Sequence, residues 1–285
     1  MSVLSRRMFC AVATLTIVPP TTHMAAQRLV LPGGHRRSGR NLRIHGTVAS
    51  AMVGVPVTLG GRGPFLFEVA TVGRGFSVRS ELAETMGAMR RQDGSAALPS
   101  AYVGDLALER SGSAQLVGPG WGLPEPFAGV VGLDVFGGLS VGLNFRSGEV
   151  LLGPTSLGPA DGHTIFAYER FDEVVVPVSV DGAVFDARVS SGQIRAPLLV
   201  NPSLAAKLAA SEPQPAGDAY AEGRRFELHR VALRSNARVG VTELPVSSAV
   251  YPGPSDENSL GALGLAGLAI QLDRRNQRVR IVSAA

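Results

Sequence analysis

The sequence predicts an all-β protein made of two similar halves, with only short helices. Glycine and proline are abundant, at 35 and 19 of 285 residues, while charged residues make up 18%. Such a composition is typical of many short strands joined by turns rather than of long helices. The order of short apolar segments also repeats at an offset of about 120 residues, which indicates internal duplication of one β unit.

The N-terminus predicts an export signal over residues 1–26. Arg6 and Arg7 stand before an apolar run at residues 8–18, and small residues follow near residue 26. This order is typical of a cleavable signal peptide, and the paired arginines favour the twin-arginine route. The run is much shorter than the roughly 20 residues that span a bilayer. We therefore expect a periplasmic or otherwise exported protein with no stable membrane insertion after signal removal.

The composition also limits the chemistry that the chain can perform. Its only cysteine, Cys10, lies inside the predicted signal, so the mature protein is expected to lack disulfides and thiol chemistry. The formal charge of +4 comes from scattered basic residues, so no nucleic-acid partner is expected. The five histidines show no ligand spacing, so neither a metal nor another cofactor is expected. We expect a monomer.

The first half is predicted to follow a basic arm at residues 27–49 and to extend over residues 50–156. Its short helix is expected at residues 81–87, with Ser80 as the N-cap and glycine at the end. Apolar segments bounded by turn residues predict its strands at residues 55–59, 65–70, 102–108 and 115–117, followed by a hairpin of 141–145 and 149–152.

The second half is predicted at residues 172–285, after a linker at residues 157–171. Two polar stretches in it, residues 211–225 and 252–259, are predicted to be surface loops. Its other segments repeat the order of the first half, with a strand at 176–180, a short helix at 201–208 and a closing hairpin at 270–273 and 278–282.

Several of these segments resemble motifs of bacterial retropepsin-like aspartic proteases. Residues 130–136, VVGLDVF, match the apolar-apolar-glycine element of a lobe, and residues 262–265, ALGL, match it more weakly. Gly104 and Asp105 resemble a short Gly-Asp strand of the family. The resemblance covers about residues 50–285. It implies two β-barrel lobes related by duplication, an Asp-Thr/Ser-Gly turn in each lobe, and a cleft between them for an extended peptide.

Both aspartates of that pattern are replaced. In the first half, counting from the preceding strand places Ala70 at the aspartate position, whereas counting back from the following strand places Thr71 there, with Gly73 completing the turn. In the second half the turn is formed by residues 190–192, that is Ser190, Ser191 and Gly192, and Ser190 stands in place of the aspartate. Aspartic-protease chemistry needs two adjacent carboxyl groups that share one proton. The resemblance therefore implies the fold without its reaction.

Two nearby acids offer a displaced pair of carboxylates. Glu68 and Asp186 precede the two turns by two and four residues. Because residues an even number apart share one face of a strand, Glu68 would point the same way as Ala70, and Asp186 the same way as Ser190. The simpler interpretation is that both are exposed acids on a strand face.

A serine-hydrolase pattern also occurs in the chain. Residues 138–142, GLSVG, match Gly-x-Ser-x-Gly around Ser140. That mechanism requires a strand, a strained turn and then a helix, but the residues that follow predict another strand. Asp161 and His163 would be its partners, although nothing in the sequence places them beside Ser140.

The expected function is that of an exported, catalytically inactive aspartic-protease-like protein that binds an extended peptide in the cleft between its lobes. One alternative is an active aspartic-type endopeptidase that uses the displaced acids. The other is a structural or protein-interaction module without a cleft ligand, in which side chains such as Phe76 or Arg195 fill the cleft. Trp121, in a glycine-rich loop, is predicted either to line the cleft or to anchor its loop on the first lobe.

Overall fold

The computed structural model describes residues 41–110, 112–118, 122–169, 173–221, 224–251 and 257–285. The predicted export signal, most of the N-terminal arm, Trp121 and residues 252–256 of one predicted loop lie outside these ranges. The described chain is mostly β-strand with three short helices, which confirms the all-β class.

Thirteen strands form within residues 41–153. They arise where branched and aromatic residues alternate with small or polar ones, a pattern that suits a pleated surface with one buried face. They are β1 Leu42–His45, β2 Thr47–Ala49, β3 Met52–Leu59, β4 Arg62–Ala70, β5 Phe76–Arg79, β6 Met89–Arg90, β7 Ser95–Ala97, β8 Ala101–Val103, β9 Leu106–Ala107, β10 Ala114–Val117, β11 Gly129–Gly132, β12 Ser140–Asn144 and β13 Glu149–Gly153.

Twelve further strands form within the described residues from 165 to 283. They are β14 Ile165–Ala167, β15 Val175–Val180, β16 Ala183–Ser190, β17 Leu198–Leu199, β18 Gln214–Ala221, β19 Arg224–Ala232, β20 Arg238–Val239, β21 Thr242–Glu243, β22 Ser248–Tyr251, β23 Ser259–Gly261, β24 Leu268–Asp273 and β25 Arg278–Ser283.

Two of the three sheets have matching strand orders. The ten-stranded sheet runs β6-β7-β10-β5-β11-β4-β3-β8-β9, with β2 paired to β3, and the nine-stranded sheet runs β18-β19-β22-β17-β23-β16-β15-β20-β21. Strand directions agree as well: β4 pairs in parallel with β11, and β16 pairs in parallel with β23. Each strand of the nine-stranded path therefore has a counterpart at the same place in the ten-stranded sheet.

The third sheet joins the two parts of the chain. Its six strands run β1-β13-β12-β24-β25-β14, and β12 pairs with β24 so that Val141 lies opposite Leu272 and Leu143 opposite Ile270. The predicted linker contributes β14, which pairs with β25. The predicted closing hairpins are thus both present, but they pair with each other in one sheet.

The helices are short, and one predicted cap is wrong. Helix α1 spans Ser80–Thr85 and α2 spans Pro202–Leu208, where the Asn201 side chain accepts a hydrogen bond from the Leu204 amide. In α1 the N-cap is Arg79 rather than Ser80, because Ser80 already has helical geometry and its hydroxyl lies 3.4 Å from the Val117 carbonyl oxygen. A third helix, α3, spans Ala262–Leu265.

A second correction concerns the polar stretch at residues 211–225. It was predicted to be a surface loop, but β18 and β19 form an antiparallel pair there. Its strands contain few large apolar residues because the pair lies at one end of the nine-stranded sheet, where only part of its surface meets the core. No helix within the described residues is long and apolar enough to cross a membrane.

Candidate functional site

The two predicted turns follow strands that occupy corresponding places in the two large sheets. Strand β4 ends at Ala70, which lies opposite Gly132 of β11. Strand β16 ends at Ser190, which lies opposite Gly261 of β23. Ala70 and Ser190 are therefore counterparts in position, and their numbers differ by the repeat offset seen in the sequence.

The residues that follow these two positions hold each other through reciprocal hydrogen bonds. The Thr71 amide donates to the Ser191 hydroxyl at 2.9 Å, and the Ser191 amide donates to the Thr71 hydroxyl at 3.0 Å. Each hydroxyl also donates to a backbone carbonyl oxygen of the other half: Thr71 donates to Val189 at 2.7 Å, and Ser191 donates to Val69 at 3.0 Å. We call this meeting place of the two halves the junction. Both side chains are buried. We call these four bonds the Thr71–Ser191 clasp.

The clasp tells which residues stand beside the junction. Because Thr71 and Ser191 are paired, the preceding residues Ala70 and Ser190 occupy equivalent places, one with a methyl group and the other with a hydroxyl. Neither can carry the negative charge that aspartic-protease chemistry needs. Gly192 follows Ser191 directly, whereas Val72 separates Thr71 from the exposed Gly73, whose φ of +99° lies in the region that favours glycine.

Glu68 is a buried acid that faces the second turn. Its residue exposure is only 3%, so the interpretation as an exposed strand-face acid is wrong for this residue. A Cβ atom placed on Gly192 would lie 2.9 Å from its Oε1 oxygen, which shows how closely the carboxyl group faces that turn. Burial away from water raises the pKa of Glu68 to about 7, because desolvation disfavours the charged form.

Asp186 has entirely different surroundings. It is exposed on β16, lies opposite Pro177 of β15, and contributes its backbone carbonyl as an acceptor to the Asn258 side chain. Its position four residues before Ser190 corresponds to about 13 Å along a strand. A catalytic carboxylate pair needs two carboxyl groups close enough to interact electrostatically. Here Glu68 is buried, whereas Asp186 is in contact with solvent.

The space beside the clasp is small. Thr71 and Gly73 line a cavity of about 10 Å³ together with Arg74, Asp134, Tyr168 and Arg274. That volume suits a single water molecule rather than a peptide. A much larger open groove of about 610 Å³ lies on the second half beside α2, between Ala206, Ala210, Glu212 and Tyr251, and none of the predicted site residues lines it.

Apolar side chains of both halves fill the junction next to the two turns. Met52 and Phe127 of the first half form a buried cluster with Ala262 of the second half. Leu66 and Ile194 pack against this cluster from opposite sides of the junction. The strand face that carries Leu66, Glu68 and Ala70 is thus covered by the protein's own side chains.

Phe76 and Arg195, which were expected as fillers of a cleft, make other contacts. Phe76 packs edge-on against Phe67 in the core of the first half, with ring centroids 6.1 Å apart. The Arg195 guanidinium lies 3.5 Å from the backbone oxygen of Asp218, on β18. Trp121 is outside the described residues.

The serine-hydrolase pattern is not assembled. Ser140 is buried at the start of β12, its hydroxyl accepts a hydrogen bond from the Gln271 side chain at 3.2 Å, and strand rather than helix follows it. The Asp161 carboxylate instead accepts the amides of His163, Thr164 and Ile165, and these bonds hold its pKa well below the usual range. Asp161 therefore stabilises its own turn.

Within the described ranges, no group of three or more histidine, cysteine, aspartate or glutamate side chains could hold a metal ion. The sequence indicates Thr71 and Ser191 as turn residues, but their mutual bonds and the burial of Glu68 are visible only in the structure. The offset of 120 residues between Thr71 and Ser191 was the available signal for the clasp.

No protein-family model and no curated protein sequence matches this chain.

Proposed function

We propose that this protein has the two-lobe, internally duplicated architecture of retropepsin-like aspartic proteases and acts without hydrolysing peptide bonds. The matching strand orders of the two large sheets support the duplication. The parallel pairs β4–β11 and β16–β23, each closing with a glycine opposite the last strand residue, support the family resemblance. On this proposal the protein has the fold of the family and lacks its peptidase reaction.

The observation that carries this proposal is the Thr71–Ser191 clasp. It aligns the two turns residue by residue and favours Ala70, rather than Thr71, as the counterpart of Ser190. A methyl and a hydroxyl group cannot share a proton as two carboxyl groups do, so no water would be activated between them. Glu68 alone does not replace the pair. The reaction needs one protonated and one ionised carboxyl group side by side, and Glu68 supplies only one carboxyl group.

The packed junction favours a role in protein interaction over peptide binding between the lobes. Met52, Phe127 and Ala262 pack together across the junction, and a peptide bound there would have to displace them. Peptide binding between the lobes is the second candidate, and it would require the junction to open. Glu68 favours that candidate, because a buried carboxyl group weakens the closed form whenever it ionises.

We also propose that the protein is an exported monomer, with a signal at residues 1–26.

A proteolysis assay with a gain-of-function variant tests the proposal. Residues 27–285 are incubated with an unfolded protein substrate from about pH 3 to 8, with and without pepstatin. We expect no cleavage. The triple variant Ala70→Asp, Val72→Gly and Ser190→Asp would create an Asp-Thr-Gly and an Asp-Ser-Gly turn, and we expect it to cleave at acid pH in a pepstatin-sensitive manner. Its matched control carries Asn at positions 70 and 190 and should stay inactive.

Two outcomes would contradict the proposal. Pepstatin-sensitive cleavage by the natural chain that disappears in Glu68→Gln would mean that displaced acids perform the reaction. A folded triple variant that stays inactive would mean that positions 70 and 190 are not the counterparts of the catalytic aspartates.

A further inference from the structure

Glu68 lies where the two halves of the protein meet. It lies two residues before the end of β4, between Gly54 of β3 and Val130 of β11. Leu66 and Ala70 share its strand face, which turns away from the core residues Phe67 and Val69. Across the junction its carboxyl group faces Gly192. The side chain therefore bridges from the first half to the second-half turn at residues 190–194.

The Glu68 carboxyl group is buried there without a matching donor. Its Oε1 oxygen is fully buried and has no hydrogen-bond partner among the described residues. A buried polar atom in this state costs free energy, and a buried charge costs far more. The closed junction is therefore compatible with the neutral carboxyl group and poorly compatible with the carboxylate.

The elements that surround Glu68 provide no compensating charge. Strands β3 and β11 contain no ionisable side chain, and neither does the turn at residues 190–194. In the loop that carries Phe127, Glu125 lies 3.2 Å from Arg79 in an ion pair. Arg195, which follows the turn, is directed to the backbone oxygen of Asp218. On β4 itself, the exposed Arg62 donates to the Thr85 carbonyl oxygen.

We propose that the carboxyl group of Glu68 is a proton-operated latch, which holds the two halves together when neutral and loosens their junction when ionised. The moving parts are β4 on one side and the turn at residues 190–194 on the other. Loosening would release the apolar faces of Leu66, Phe127 and Ile194 from one another. This inference goes beyond the proposed function, and it holds whether or not the junction accepts a peptide.

The sign of the pH effect follows from the two states of Glu68. In an open junction the group is solvated and titrates near its ordinary pKa of 4.5, whereas in the closed junction its pKa is about 7. The closed form therefore binds more protons between these values, so its stability falls as the pH rises from 4.5 to 7 and is constant above that. Between pH 5 and 8.5 the equilibrium constant for opening should rise by about 70-fold.

Hydrogen exchange at the clasp measures this opening directly. The amides of Thr71 and Ser191 donate across the junction, so their protection factors report its closure. In the full chain, corrected for intrinsic exchange, we expect these protection factors to fall by tens of fold from pH 5 to pH 8.5. Glu68→Gln, which keeps the shape of the side chain but cannot ionise, should show no such fall.

Glu84→Gln is the matched control, because Glu84 is an exposed glutamate of α1 in the same half. It should behave as the natural chain does. An equal fall in the natural chain and in Glu68→Gln, or no fall in either, would overturn the proposal. If Glu68→Gln does not fold, ¹³C NMR of glutamate carboxyl groups in the unchanged chain decides the question: one carboxyl group should titrate near neutral pH, and the absence of any midpoint above pH 6 would overturn the latch.

Discussion

At the scale of single residues, Thr71 and Ser191 show how a pair of small hydroxyl side chains can bind two halves of a protein. Each hydroxyl accepts a hydrogen bond from one amide and donates to one carbonyl oxygen. The two hydroxyl groups and the two amides of the buried clasp are therefore all hydrogen-bonded. Such buried bonds are valuable mainly because breaking one leaves its partner unpaired. The clasp therefore explains why these positions carry hydroxyl groups even though Ala70 and Ser190, rather than aspartates, precede them.

Replacing Thr71 by valine should destabilise the protein by about 2–3 kcal/mol, because the Val189 carbonyl and the Ser191 amide lose their buried partner. Urea unfolding measures this change. Thr155→Val, at an exposed threonine, is the control and should shift the free energy of unfolding by less than about 0.5 kcal/mol. The double variant with Ser191→Ala should lose less than the sum of the single variants. A full additive loss would contradict the clasp.

Glu68 marks the limit of residue-level prediction from the sequence. Alternation along β4 predicts that it shares a face with Ala70, but the pattern could not tell that residues of the second half bury it. The residue at the matching position of β16 is Arg188, which lies 3.0 Å from Glu257 and 3.7 Å from Glu173 in ion pairs. The two positions correspond in the backbone and differ in electrostatics, and only the structure shows which neighbours each one has.

At the scale of secondary structure, local patterns predicted most strands that carry the site. Segments 65–70 and 176–180 appear within β4 and β15 because branched and aromatic residues suit a buried pleated face. The β18–β19 pair was missed because its sequence is polar and rich in turn-forming residues, and its strand pairing depends on the neighbouring β22. Tertiary contact, rather than local propensity, determines that pair.

Strand β11 should be highly sensitive to the loss of one glycine. Gly129 lies between Phe67 of β4 and Val78 of β5, and a Cβ atom there would overlap the Ser77 carbonyl oxygen and the Phe67 ring. Gly129→Ala should lower the free energy of unfolding by about 2–3 kcal/mol, because strand backbone and a packed ring must shift. Gly158→Ala, where a Cβ would meet nothing within 4 Å, is the control and should be close to neutral. Thermal unfolding that is equal for both variants would contradict this packing.

At the scale of the whole molecule, strands of both halves pair with each other in the six-stranded sheet. The sequence predicted two closing hairpins, but it contained no signal for the pairing of β12 with β24, because both strands are apolar and either could have bordered a separate barrel. The clasp, the Met52–Phe127–Ala262 cluster and this sheet are three independent contacts across the junction. If the halves were separated, the stabilisation lost with these three contacts should exceed the stability that either half has by itself.

Residues 41–156, produced alone, should therefore fail to fold cooperatively. Without β24 the backbone of β12 loses one of its two partner strands, and Phe127 and Met52 lose their cover from the second half. Urea unfolding followed by circular dichroism should show one cooperative transition for the whole chain and a broad, non-cooperative change for the fragment. Adding residues 157–285 to the fragment should restore the transition, since all three junction contacts can re-form between separate chains. A fragment that unfolds cooperatively at the same urea concentration as the whole chain would show that the halves are independent, and the latch at Glu68 would then act on a contact that contributes little to stability.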